Sequence, residues 1–150
     1  MNRGAASAEP NGKRTRREIY LKETAKRKRE MLHEVKNARQ VPGEGFRRWF
    51  TDQYFDLILW YGSDRSIEGF QLCYDKSVKE RALTWRRGRG FVHEKVDDGE
   101  MPQAAKMTPI LLPDGHFDAR GITSRFHAAS EEMDGEVARF VLETLERYPR

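Results

Sequence analysis

The chain has a single cysteine, Cys73, so no intrachain disulfide can form and a disulfide-stapled scaffold is excluded. It has no apolar run approaching the ~20 residues of a membrane helix. Its longest near-continuous stretch, Leu57-Ile58-Leu59-Trp60-Tyr61, has the length of a strand. The opening residues MNRGAASAEPNGKR lack the apolar middle of a secretory signal, and Glu9, Glu18 and Glu23 do not suit a transit peptide. The expectation is a cytoplasmic protein with no membrane span. No internal repeat is visible, and no phosphate-loop, zinc-protease or calcium-loop pattern occurs.

Charge and aromatic side chains are plentiful. Of 150 residues, 35% are charged, 37% hydrophobic and 11% aromatic, enough for one domain with a real core beneath a solvated surface. The formal charge of +4 is unevenly spread. Residues 1–40 carry 12 Lys and Arg against 5 Asp and Glu, whereas residues 41–150 carry 16 against 19. A basic arm is therefore joined to a mildly acidic body.

Small and polar residues with Pro10 and Gly12 predict a disordered tail over 1–12. Good helix formers without Pro or Gly predict a basic helical arm over 13–40. Val41-Pro42-Gly43-Glu44-Gly45 then ends the helix, and a single α+β domain is expected over 44–150. Within it, strands are expected at 54–61, largely apolar on both faces and so central, and at 67–74, 81–85 and 91–96, joined by turn clusters. A shorter strand at 107–112 contains Pro109, which favours a sheet edge. Helical spacing returns from Asp118 to about Ser130, burying Ile122 and Phe126. It recurs from about Gly135 to Tyr148, presenting Val137, Phe140, Val141, Leu145 and Tyr148 on one face. The expected architecture is α+β: an antiparallel meander of four to five strands, covered on one face by two C-terminal helices and preceded by a long basic helix.

Two basic features invite anions. Lys13, Arg14, Arg16, Arg17, Lys26, Arg27, Lys28 and Arg29 load the arm with enough charge to meet several phosphates. The plainer reading is a solvated helix, or one that docks on an acidic protein. Arg86, Arg87 and Arg89 surround Gly88 at a turn whose arginine forks suit phosphate or carboxylate, though hairpin tips are commonly polar for solvation alone.

The body offers a second set. Gln71, Arg81, Trp85, His93, Asp97 and Asp98 are the candidate polar groups of an open sheet face. The same alternation puts Thr84 and Trp60 on that face. His93 with Asp97, Asp98 and Glu100 is the densest run of metal-capable side chains, but its spacing fits no known ligand pattern. Cys73 has no base beside it in sequence, so a small buried hydrophobe is its ordinary role. The dense aromatics, among them Trp49, Trp60 and Trp85, can stack nucleobases or fill a core. No catalytic residue, metal site or cofactor is assigned. The function expected is a binding module whose basic arm engages nucleic acid or an acidic protein. The alternative is a small ligand-binding domain or enzyme using the open sheet face. The sequence leaves the oligomeric state open.

Overall fold

A computed structural model describes residues 12–97, 110–113 and 116–149. The tail expected over 1–12 lies outside the described residues apart from Gly12, as do Asp98 and Pro109. The elements are α1 (Arg16–Glu30), β1 (His33–Glu34), β2 (Arg47–Thr51), β3 (Asp56–Tyr61), β4 (Ile67–Tyr74), β5 (Arg81–Arg86), β6 (Gly90–Asp97), β7 (Ile110–Pro113), α2 (Ala119–Ala129) and α3 (Gly135–Glu146).

All the strands form one antiparallel sheet in which each pairs with its chain neighbours, from β1 at one edge to β7 at the other. The class is α+β, and the connections are those of a meander. The strand count corrects the expectation of four to five: six strands pair even when the two-residue β1 is set aside. The additional strand is β2, Arg-Arg-Trp-Phe-Thr. Of its five side chains only Phe50 is buried, so the apolar alternation that marks a strand is missing.

The helix over 13–40 is also corrected: α1 stops at Glu30, where Met31 turns extended at φ −112°, ψ 131°. Tertiary contacts override helix propensity here. Leu32 is buried in the core, its N–H donates to Ala129 O at 2.8 Å, and His33–Glu34 pair with Thr51–Phe50. Asn37 then adopts φ 60°, a left-handed conformation that no helix can propagate through.

The register assigns every strand residue to a face. Phe50, Leu57, Leu72 and Leu83 form one cross-strand row, and Leu59, Phe70 and Trp85 the next. These residues belong to, or pack against, a buried cluster that includes Ile122 and Phe126 of α2 and Val137, Val141 and Leu145 of α3. Phe126 meets Phe55 edge-on at 5.8 Å, and Phe140 meets Trp85 edge-on at 5.5 Å. Both C-terminal helices start where the sequence predicts. Asp118 accepts from Gly121 N, and Asp134 accepts from Glu136 N and Val137 N, satisfying donors that open each helix.

Candidate polyanion-binding surfaces

The arm is the most exposed element described. No residue of α1 is buried, and Tyr20 is 67% exposed. The helix is held locally by a capping box, in which Glu18 N donates to Thr15 Oγ1 and Thr15 N donates to Glu18 Oε2. Its only acidic residue in the first turn is Glu18, while Arg27, Lys28 and Arg29 occupy the last turn, where the helix dipole favours cations. At 3.6 residues per turn the cations cover the cylinder. Arg16 and Arg27 share one side, Arg17 and Lys28 the next, and Lys22, Lys26 and Arg29 lie roughly opposite. Lys13 and Arg14 precede the helix and are exposed.

The arm meets the body at its C-terminal end. Arg27 Nε lies 3.1 Å from Glu132 Oε1, and Gln53 N donates to Arg29 O at 2.8 Å. Lys26 sits 4.0 Å from Glu30 along the helix, an exposed pair that contributes little. Arg17, Lys22 and Lys28 have no carboxylate partner among the described residues.

The second basic feature forms the β5–β6 turn. Gly88 and Gly90 adopt φ 74° and 78°, and Arg89 N donates to Arg86 O at 3.0 Å. Arg87 folds back to donate to Ile67 O at 2.9 Å and lies 3.7 Å from Glu68. By strand register this turn is at the opposite end of the sheet from Gln53, where the arm attaches. The arm's anchor and the arginine turn are therefore separate basic features.

The six ligand candidates do not converge. Arg81 and Trp85 alternate with Leu83 onto the face that carries the core, and His93 is directly opposite Leu83. Trp85 stacks on Phe70 at 5.9 Å. His93 is buried, its Nε2 hydrogen-bonded to Tyr74 Oη at 2.7 Å and its ring 5.3 Å from Phe117. Asp97 ends β6, and Asp98 lies outside the described residues. Gln71 alone of the six sits in mid-strand on the opposite face, its Nε2 donating to Thr84 Oγ1 at 3.1 Å. Among the described residues no three His, Cys, Asp or Glu side chains converge as a metal site would require.

That opposite face has three cross-strand rows. The first is Arg47, Trp60, Gly69 and Arg86. The middle row is Trp49, Ile58, Gln71, Thr84 and Val92, and the third is Thr51, Asp56, Cys73, Ala82 and Glu94. Trp49 is 37% and Val92 51% exposed. In the first row the Arg86 guanidinium lies 3.9 Å from the Trp60 ring centroid. Gly69, between them in the register, makes this possible: a β-carbon there would fall 2.8 Å from Arg86 Cδ and 2.7 Å from Trp85 O. In the third row Asp56 Oδ1 accepts from Thr51 Oγ1 at 2.6 Å, from Trp49 Nε1 at 3.2 Å and from Lys76 Nζ at 3.2 Å.

No family model matches this chain, and no curated protein or solved structure is similar to it.

Cys73 shares the third row, but burial, reinforced by Glu80 and Asp56, pushes its thiol up to about 12, so it stays protonated and a poor nucleophile at neutral pH. A groove of about 790 Å³ between α2 and α3, lined by Thr123, Ser124, His127, Leu142 and Tyr148 among others, contains none of the candidate residues. Arg47, Thr51, Asp56 and Lys76 also lie on the open face. Alternation along β3 puts Asp56, Ile58 and Trp60 together, but β2 lacks the apolar alternation that marks a strand, and Lys76 reaches the face from a turn.

Proposed function

We propose that the protein is a binding module whose basic arm engages a polyanion in the cytoplasm, with nucleic acid as the first candidate and an acidic protein surface as the other. One observation carries this reading: a helix of 15 residues is exposed on all sides and bears seven cations against three carboxylates. An isolated helix of this length is marginal in water. Its large apolar residues, Ile19, Tyr20 and Leu21, are consecutive and so point to different sides, which leaves no apolar stripe with which to bury the helix against a protein core. Lys and Arg on several sides suit a ligand whose charge is continuous and whose binding needs no single docking face. On this reading α2 and α3 cover one sheet face and supply stability.

The test is titration of the full chain with labelled single- and double-stranded DNA and RNA across a salt series. The comparison is a variant carrying Arg17→Gln, Lys22→Gln and Lys28→Gln, none of which is ion-paired with the body among the described residues. Wild type should bind with a steep inverse salt dependence. In the variant the slope of log K against log[salt] should drop by roughly 2 to 3, one counterion per lost contact. Equal slopes in the two proteins would sink the reading for nucleic acid. A second reading, a ligand site on the open sheet face, is favoured by the exposure of Trp49 at the start of an uncharged row.

A further inference from the structure

We infer that the open sheet face binds single-stranded nucleic acid, with bases stacking on Trp49 along the middle row and phosphates meeting Arg86 beside it. The inference rests on the second reading of the preceding section and is independent of the arm.

Three observations carry it. First, Trp49 is an aromatic held in place for a ligand. Its Nε1 donates to Asp56, whose carboxylate is neutralised by Lys76 and tied to Thr51, so the indole is exposed yet oriented. Sheet aromatics of this kind stack bases without regard to sequence, because every base has a π-face. Second, the middle row holds no charge, and polar Gln71 and Thr84 lie at its centre, able to meet base edges. It crosses five strands, from Trp49 of β2 to Val92 of β6. At about 4.8 Å per inter-strand gap this is roughly 19 Å, room for about five nucleotides at stacked spacing.

Third, charge is sorted across the face. Arg86 and Arg47, the latter ion-paired with Glu44, flank the uncharged row on one side, and Glu94 and Asp56, the latter ion-paired with Lys76, flank it on the other, so Arg86 and Glu94 set the polarity of the face. A single strand laid along the middle row with its phosphates toward Arg86 satisfies both edges. Arg86 has no carboxylate partner among the described residues. Stacked on Trp60, its guanidinium presents a planar cation suited to a phosphate or a base. In the same row Arg47 Nε and Trp60 Nε1 are buried donors with no acceptor among the described residues, and Arg47 pairs through Nη2 with Glu44, so Arg86 is the cation of this row left for a phosphate.

The experiment uses the full chain and a fluorescein-labelled oligothymidylate, with binding followed by anisotropy. Inorganic polyphosphate and polyglutamate serve as base-free competitors. Four proteins are compared: wild type, Trp49→Ala, Trp49→Phe and Arg86→Gln, each checked for an unchanged thermal melt. Trp49→Ala should bind the oligonucleotide about 10-fold more weakly. Trp49→Phe should recover most of that loss, and Arg86→Gln should weaken binding and flatten the salt slope. The arm variant should weaken polyphosphate and oligonucleotide alike while leaving the Trp49 effect intact, which separates failure of the arm reading from failure of this one. The inference falls if Trp49→Ala and Arg86→Gln bind the oligonucleotide as wild type does. It falls equally if polyglutamate displaces the oligonucleotide from wild type and from the arm variant as well as free oligonucleotide does, because the face would then read charge and not bases.

Discussion

At the scale of single residues, Arg48 ties the most elements together. It donates from Nε and Nη2 to the two carboxylate oxygens of Glu34 in β1, and from Nη1 to Asp134 at the start of α3. Its hydrogen bonds hold the Glu34 and Asp134 carboxyls below their ordinary range, against the opposing effect of burial. Groups with depressed folded values stabilise the fold above the ordinary carboxylate range, and that contribution is lost as pH falls through the depressed values. Asp52 works the other way, because burial raises it and protonation relieves it. The melting temperature of wild type should therefore fall below about pH 4 more steeply than that of Arg48→Gln. Parallel melting curves down to the acid limit would show that the Arg48 pairs carry no linkage. Gly69 gives a second residue-scale expectation. Gly69→Ala places a methyl against Arg86 Cδ and Trp85 O and should cost about 1–3 kcal/mol in denaturant melts, the usual range for overpacking.

At the scale of elements, α1 stands on local interactions because nothing in it is buried. Thr15→Ala removes one half of the capping box, a loss of about 0.5–2 kcal/mol. It should lower helical circular dichroism at 222 nm without moving the main thermal transition. A coupled fall in both would mean that the arm and sheet melt as one unit. Elements with their own repeating pattern were legible in the sequence. β3 is a strand-length apolar run, β4 alternates, and α2 and α3 carry both a capping aspartate and an apolar stripe. β2 was not legible, because Arg47 and Arg48 occupy positions that an apolar side chain would normally mark. The end of α1 is not legible, because Met31–Ala38 consists mostly of acceptable helix formers. What ends the helix is Leu32 docking at Ala129, a contact nearly a hundred residues away. The candidate site was half legible. Gln71, Thr84 and Trp60 share the open face, whereas Trp85 and His93 look equally polar in sequence but are packed against Phe140 and Phe117.

At the scale of the whole molecule, Leu32 is the joint between arm and body, fully within the core and hydrogen-bonded through its backbone to the end of α2. Leu32→Ala should lower global stability by about 2–5 kcal/mol, as large-to-small core changes do. Limited proteolysis should then cut near 31–40 faster than in wild type. Unchanged cleavage there would show that the arm is moored by Arg27–Glu132 and Arg29–Gln53 alone.

The neighbour-to-neighbour strand order has a consequence for the order of assembly. β2 to β6 pair by closing short turns, which carry little loop entropy, so this part of the sheet can form quickly. β1 is different. Its register with β2 is also local, but the buried residue before it needs Ala129, at the end of a helix made from the last quarter of the chain. The docking of Leu32 therefore waits for the C-terminal helices, and before they pack the end of the basic helix has only Gln53 of the β2–β3 turn to hold it, through Arg29 O.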